Sequence, residues 1–252
     1  RGLGDVYKRQ EMKQYVDKVR QTAIKAGGGF VPYSQMLEPT NTMIKMLPAT
    51  RDGICQALCA KWIAEHANDS SLWNWLFTPG TTNVQFGKIA NLMINFNESV
   101  TTDKASSAFN ATVKRGAGQK NMIWQDVVTE KYLALYGVIR RGMAASKMNS
   151  TWSMKSGKGL GMEIAYDLDP KKWNGQNFYI LISILGDGGG HALCAFVGSQ
   201  DIAFFDPNFG EFYFTDRASF LNFMKKFWEK SGYATDYNKY YLLDYGKRIG
   251  KR

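Results

Sequence analysis

Three residues have the types and placement for nucleophilic acyl transfer: Cys55, His191 and Asp206. Cys55 opens the run Gly53-Ile54-Cys55-Gln56-Ala57-Leu58-Cys59-Ala60-Lys61-Trp62-Ile63, in which Ile54, Ala57, Leu58, Trp62 and Ile63 recur at helical spacing. The turn-like residues 47–52 precede it, and Thr50 or Asp52 can cap the helix. A cysteine in a first helical turn meets free N–H groups and the positive dipole end, which favour thiolate over thiol. The alternative is a small apolar residue in a core helix. His191 opens an apolar strand after Gly186-Asp187-Gly188-Gly189-Gly190, where an imidazole can face a cleft. Asp206 ends the following strand, so the two side chains can meet near one sheet edge if those strands are adjacent and antiparallel. In such a set the thiolate attacks, the imidazole shuttles the proton, and the carboxylate orients the ring. A lone histidine at a strand start is also a common structural residue, so the residue types leave both readings open.

The elements that must hold these residues change character along the chain. Residues 11–26 form an amphipathic pattern stopped by Gly27-Gly28-Gly29, and residues 30–52, with three prolines, read as a connecting loop. The cysteine helix runs to about residue 67, and residues 72–77 begin a short helical piece. Residues 84–113 read as helix broken in two by the polar stretch 99–107, and residues 122–143 as a helix or helix pair. Residues 144–161 are rich in Ser, Lys and Gly and read as loop. Periodicity then shifts to that of strands, at 177–185, 191–198, 202–206 and 212–214. Asp216 caps a helix over 219–230, and 239–245 is a last strand. A helical N-terminal portion followed by an antiparallel sheet is α+β.

Composition bounds the rest. A chain of 252 residues, 44% hydrophobic and 14% aromatic, can bury a substantial core and is no disordered tail. No stretch approaches the ~20 continuous apolar residues of a membrane span. The chain does not begin with Met and shows no signal-peptide hydrophobic region, which reads as a fragment or as a chain without that route of export. Residues 1–10 resemble translated adapter sequence and are read as a non-native leader, leaving 11–252 as a single domain. Three cysteines make no disulfide framework. The net charge of +10 suits an anionic partner, such as a membrane surface, but no nucleic-acid fingerprint accompanies it. A solvated basic surface explains the charge as well.

At the three candidate residues a family resemblance enters. Gly53-Ile54-Cys55 with Ala57, Leu58 and Trp62, then His191-Ala192-Leu193 with Phe196, then Phe204-Phe205-Asp206-Pro207-Asn208-Phe209-Gly210-Glu211-Phe212, resemble the three motif blocks of the YopT/AvrPphB family of papain-like cysteine proteases. The resemblance implies a papain-like fold, with a helical lobe carrying the nucleophile packed on an antiparallel sheet carrying the other two residues. It implies Cys55 as nucleophile, His191 as general base and acid, and Asp206 as the orienting carboxylate. It further implies a secreted bacterial virulence effector or toxin domain, acting in the host cytosol on a host protein. Prenylated small GTPases and kinases are the substrate classes of the family. No cofactor is expected, and the chain is expected to be a monomer. The rival readings are transglutaminase or deamidase chemistry on the same triad, and a catalytically inactive basic binding domain.

An oxyanion hole needs a second donor beside the Cys55 N–H. No Asn or Gln lies just before Gly53, which leaves Thr50, Arg51 or the more distant Asn41. Weaker signals take bland readings. Cys59 is expected to pack on the face of Cys55 rather than form a redox pair. Zinc on Cys55, Cys59 and His66 lacks a second ligand pair. The glycine runs at 157–161 and 186–190 read as turns rather than phosphate loops. His66 reads as a surface residue or dipole partner near a helix end, and Glu211 and Asp187 as loop carboxylates facing water.

Overall fold

The computed structural model describes residues 3–48, 50, 53–105, 124–141, 152–153 and 157–248. Its frame is one antiparallel sheet. Strands β4 (Phe178–Gly186), β5 (Gly189–Val197), β6 (Ile202–Asp206) and β7 (Gly210–Phe214) run as a meander. β1 (Gly29–Pro32) adds beside β7, and β8 (Lys239–Lys247) returns to the far side of β4. The order is β1-β7-β6-β5-β4-β8-β2, with β2 (Val138–Arg140) and the two-residue β3 (Trp152–Ser153) both on β8. The central strands are apolar on both faces because helices cover both.

Side-chain alternation splits the core into two layers. Leu181, Ala192, Cys194, Phe196, Ala203, Phe205 and Leu243 face α3 (Cys55–Ala67), α4 (Leu72–Leu76), α5 (Phe86–Ala105) and α6 (Trp124–Leu135). Ile180, Ile182, Leu193, Ala195, Phe204 and Leu242 face the other way, onto α1 (Leu3–Lys25), α7 (Gly157–Met162) and α8 (Arg217–Lys230). That second layer is a phenylalanine cluster, with Phe204, Phe212, Phe220, Phe223 and Phe227 in edge and tilted contact at centroid separations of 4.8–6.4 Å. Such pairs add to the burial of each ring. Asp216 caps α8 as expected, its Oδ1 accepting the Ser219 N–H at 2.8 Å.

Several expectations are corrected. Residues 30–52 hold β1 and a helix, α2 (Thr40–Met46), not only loop. α5 continues through the polar stretch as far as Ala105, because no Gly or Pro lies there to stop it; residues 106–123 lie outside the described residues. Of 122–143, the segment after Gly137 turns into β2, so Ile139 is a strand residue. The glycine run 157–161 is helical, not a turn. Gly161 serves close packing, since a Cβ there would lie 3.0 Å from Met224 Cβ on α8, whereas a Cβ on Gly159 would meet nothing within 4 Å. The turn between β4 and β5 is shorter than expected, only Asp187 and Gly188. α1 begins at Leu3, ahead of residue 11, and within it Arg20 reaches the turn between β6 and β7 at Phe209 and Tyr15 the C-terminal end of α8 at Ser231.

Candidate active site

Cys55 is the first residue of α3, as its sequence context predicts. Gly53, at φ +106°, lets the chain turn into the helix through a conformation that strains other residues. The first N–H groups of a helix lack intrahelical partners, so Cys55 sits among free donors. Its thiol is half-buried, whereas Cys59 and Cys194 are fully buried behind it. Cys59 does share the inner face of α3, its Sγ on the Ala192 carbonyl at 3.5 Å.

His191 lies near the start of β5, and Asp206 is the last residue of β6. The register pairs Cys194 with Phe205, so continuing it sets Leu193 opposite Asp206 and His191 diagonal to it, on the same face. His191 Nε2 meets Asp206 Oδ1 at 2.9 Å, and both side chains are buried. Cys55 lies close enough to the same ring for each group to shift the other's pKa. With Nε2 on the carboxylate, Nδ1 is the nitrogen left for the sulfur.

The electrostatics favour an ion pair. Burial pushes the Cys55 thiol up, but the bond and field of His191 and the Ala192 and Gln56 N–H groups outweigh it, and the thiol falls below its ordinary value. Burial lowers the His191 imidazolium, yet the Asp206 carboxylate and the Cys55 sulfur lift it to about 10. Between those limits thiolate and imidazolium coexist. Cys59 and Cys194 are shifted the opposite way, chiefly by burial, and stay thiols.

Asp206 is held by three donors: His191, the Asn208 N–H on Oδ1 at 2.8 Å, and the Tyr233 hydroxyl on Oδ2 at 2.9 Å. Asn208 itself turns its side chain to Tyr233 and Gln35, not to the imidazole. Tyr233 and Gln35 escape the sequence reading. The only hint of Tyr233 is an aromatic residue inside the polar segment Ser231-Gly232-Tyr233-Ala234-Thr235-Asp236.

Of the proposed oxyanion donors, Thr50 is committed elsewhere, its hydroxyl on the Ile44 carbonyl at 2.6 Å. Arg51 lies outside the described residues. Asn41 lines a small cleft with Gln35, Met36, Ile44 and Gly53. His66 is not a surface residue. It wedges between Trp62 and Phe196 with Nδ1 3.0 Å from the Tyr179 hydroxyl, and burial lowers its pKa. Glu211 is a strand residue rather than a loop carboxylate, and accepts the Trp73 indole N–H. Asp187 is exposed in its turn. No metal-binding cluster occurs among the described residues.

Comparison with known proteins places the chain among relatives. The chain is 28% identical over 259 aligned positions to the protein adenylyltransferase and cysteine protease IbpA of Histophilus somni, covering 99% of this chain and 6% of that protein. It is 30% identical to the cysteine protease YopT of Yersinia pseudotuberculosis, covering 79% of this chain and 56% of YopT. It thus spans about half the length of YopT and a small part of IbpA. The Pseudomonas avirulence protein AvrPphB aligns in three dimensions at 15% identity and a TM-score of 0.47, over 78% of this chain and 94% of that one. The profile of the peptidase C58 family, described as Yersinia/Haemophilus virulence surface antigen, matches residues 14–240, and the chain belongs to that family.

Proposed function

We propose that this chain carries the catalytic unit of a cysteine endopeptidase working through Cys55, His191 and Asp206, with residues 11–252 as one domain and 1–10 outside it. The observation that carries this reading is the buried His191–Asp206 pair, bonded at 2.9 Å, with the half-buried thiol of Cys55 in the field of the same imidazole. In the proposed cycle the Cys55 thiolate attacks the scissile carbonyl. The His191 imidazolium gives its proton to the leaving amine, and an acyl-enzyme remains. Neutral His191 then takes a proton from water, which attacks the thioester and frees Cys55. Asp206 keeps Nε2 protonated throughout. The Cys55 N–H at the start of α3 is the first donor to the oxyanion, and Asn41 and Arg51 are the candidates for the second.

Membership in a family of virulence antigens supports a host protein as substrate and action inside the host cell after export from a bacterium. The substrate classes implied by the resemblance, a prenylated small GTPase or a kinase, are the ones to try first, and the net charge of +10 suits work at an anionic membrane surface. No helix among the described residues is long and apolar enough to cross a membrane. The test is mass-spectrometric mapping of new N-termini in host-cell lysate, comparing the chain with Cys55→Ala. New termini that appear only with intact Cys55 support the reading. Incorporation of a labelled amine without new termini overturns it in favour of transglutamination.

A further inference from the structure

We propose that Tyr233 is a positioning residue for the catalytic carboxylate, the last link of a directed hydrogen-bond relay that runs from Gln35 through Asn208 and Tyr233 to Asp206. The inference deepens the proteolytic reading above and rests on it.

The direction of the relay follows from donor and acceptor inventories. An ionised carboxylate only accepts, so Tyr233 must donate its one proton to Asp206 Oδ2, at 2.9 Å. Its oxygen can then only accept from Asn208 Nδ2, also at 2.9 Å. That fixes the Asn208 amide, whose Oδ1 accepts from Gln35 Nε2 at 2.8 Å. Gln35 Oε1, buried and without a partner among the described residues, is consistent with this one orientation. Every bond therefore points toward Asp206, opposite the bond it accepts from His191 Nε2. Aligned bonds polarise one another, and a buried network is strongest when each link is satisfied.

The scaffold holds the relay without strain on its members. The Tyr233 ring is buried among Phe209, Phe227 and Trp228 and lies 5.8 Å from the His191 ring. The Gln35 N–H donates to the Pro207 carbonyl at 2.8 Å, and Arg20 donates to the carbonyls of Phe209 and Tyr33. These bonds tie both flanks of the relay to α1. Asp206 is thus gripped on both oxygens, and the plane of its carboxylate, hence the tilt of the imidazole, is set from behind.

Tyr233→Phe removes the terminal hydroxyl and keeps the ring. The expected result is a fall in kcat of roughly tenfold, the scale of one hydrogen bond to a charged group, with KM within about twofold. Without that donor the carboxylate keeps more of its negative charge for His191, so the alkaline limb of kcat/KM, set by the imidazolium, moves to higher pH. Besides His191 and Tyr233 themselves, the titratable groups in the field of Asp206 are Tyr15, Tyr237 and Cys194, and none of these is altered by the substitution. Damage should decline outward, with Asn208→Ala next and Gln35→Leu least. Phe223→Leu, which thins the same aromatic cluster without touching the relay, serves as control and should lower Tm with no shift of the alkaline limb. Wild-type kcat and an unmoved alkaline limb in Tyr233→Phe, beside an inactive Asp206→Ala, overturn the relay while leaving the triad intact. Full activity in Asp206→Ala overturns the triad and the relay together.

Discussion

Two aspartates are buried on either side of α3, and their surroundings are made of the same parts. Asp206 accepts from a tyrosine hydroxyl and an asparagine backbone N–H. Asp126, on α6, accepts from the Tyr241 hydroxyl and the Gln56 side-chain amide, both at 2.8 Å. Neither side chain is exposed by more than 1%. The difference is that Asp206 also holds an imidazole, whereas no cation bonds Asp126 among the described residues. Burial therefore dominates at Asp126 and pushes its carboxyl up to about 6, against the weaker opposing pull of Tyr241, Gln56 and Arg140. At the other site the field of the Asp206 carboxylate, with the Cys55 sulfur, lifts His191 to about 10. Similar neutral donors thus surround a carboxyl with a raised pKa in one place and a carboxylate that holds an imidazolium in the other, and the neighbouring base makes the difference.

The comparison breaks most visibly in turnover. Asp206→Asn should lower kcat/KM by about 10²-fold or more, the scale of losing a positioned proton-transfer arrangement. Asp126→Asn should stay within about threefold in the same peptide assay. Equal losses would show that both carboxylates merely support α3. Thiol reactivity sharpens the same contrast. Iodoacetamide near neutral pH should modify Cys55 well ahead of buried Cys59 and Cys194, with the rate at Cys55 reduced in Asp206→Asn and unchanged in Asp126→Asn, as read by mass spectrometry of the labelled peptides.

The pH profile is a finer probe. A raised imidazolium pKa stabilises the charged pair fully below the ordinary histidine value of about 6.5, and that contribution is lost as pH rises through about 10. Asp206→Asn should pull the alkaline limb of activity down by at least about one pH unit. The smallest effect is in stability. Native Asp126 keeps its proton up to about 6, while an unfolded aspartate releases it near 4, so the native state loses stability as pH rises between those values. Asp126→Asn should remove that slope and raise Tm at pH 8 relative to the parent chain, with little change at pH 4. An unchanged slope would show that the carboxyl titrates alike in both states.

The two sites differ in how legible they are in the sequence. Cys55, His191 and Asp206 stand out because each sits at an element boundary marked by its own local signal: a helix start, a glycine turn and a strand stopped by Pro207. The central strands are legible from unbroken runs such as Phe178 to Leu185. Asp126 carries no such mark, being one carboxylate in an amphipathic helix, and only the fold brings Gln56 and Tyr241 to it. Tyr233 and Gln35 are hidden for the same reason, since no periodicity relates positions 35, 208 and 233. Asn208 reads as a turn residue, and its contact with Tyr233 exists only because α8 returns the chain to the sheet end. The weakest stretches were those with little periodicity to read. β1 is too short, and the glycines of α7 spell a turn although the segment is helical and Gly161 packs closely on α8.

The bonds from α1 to the sheet end have a practical consequence for how far the chain can be shortened. Arg20 holds the carbonyls of Tyr33 and Phe209, and the Tyr15 hydroxyl reaches the Ser231 carbonyl at 2.6 Å. A piece trimmed to begin at β1 would keep Cys55, His191 and Asp206 and lose the helix that fastens the segments behind them. On the proposed reading, an active minimal fragment must therefore start ahead of Tyr15, some forty residues before Cys55. A nick at Gly27-Gly28 should be tolerated only while the severed helix stays docked, so dilution or mild urea would switch such a nicked form off before the sheet itself unfolds.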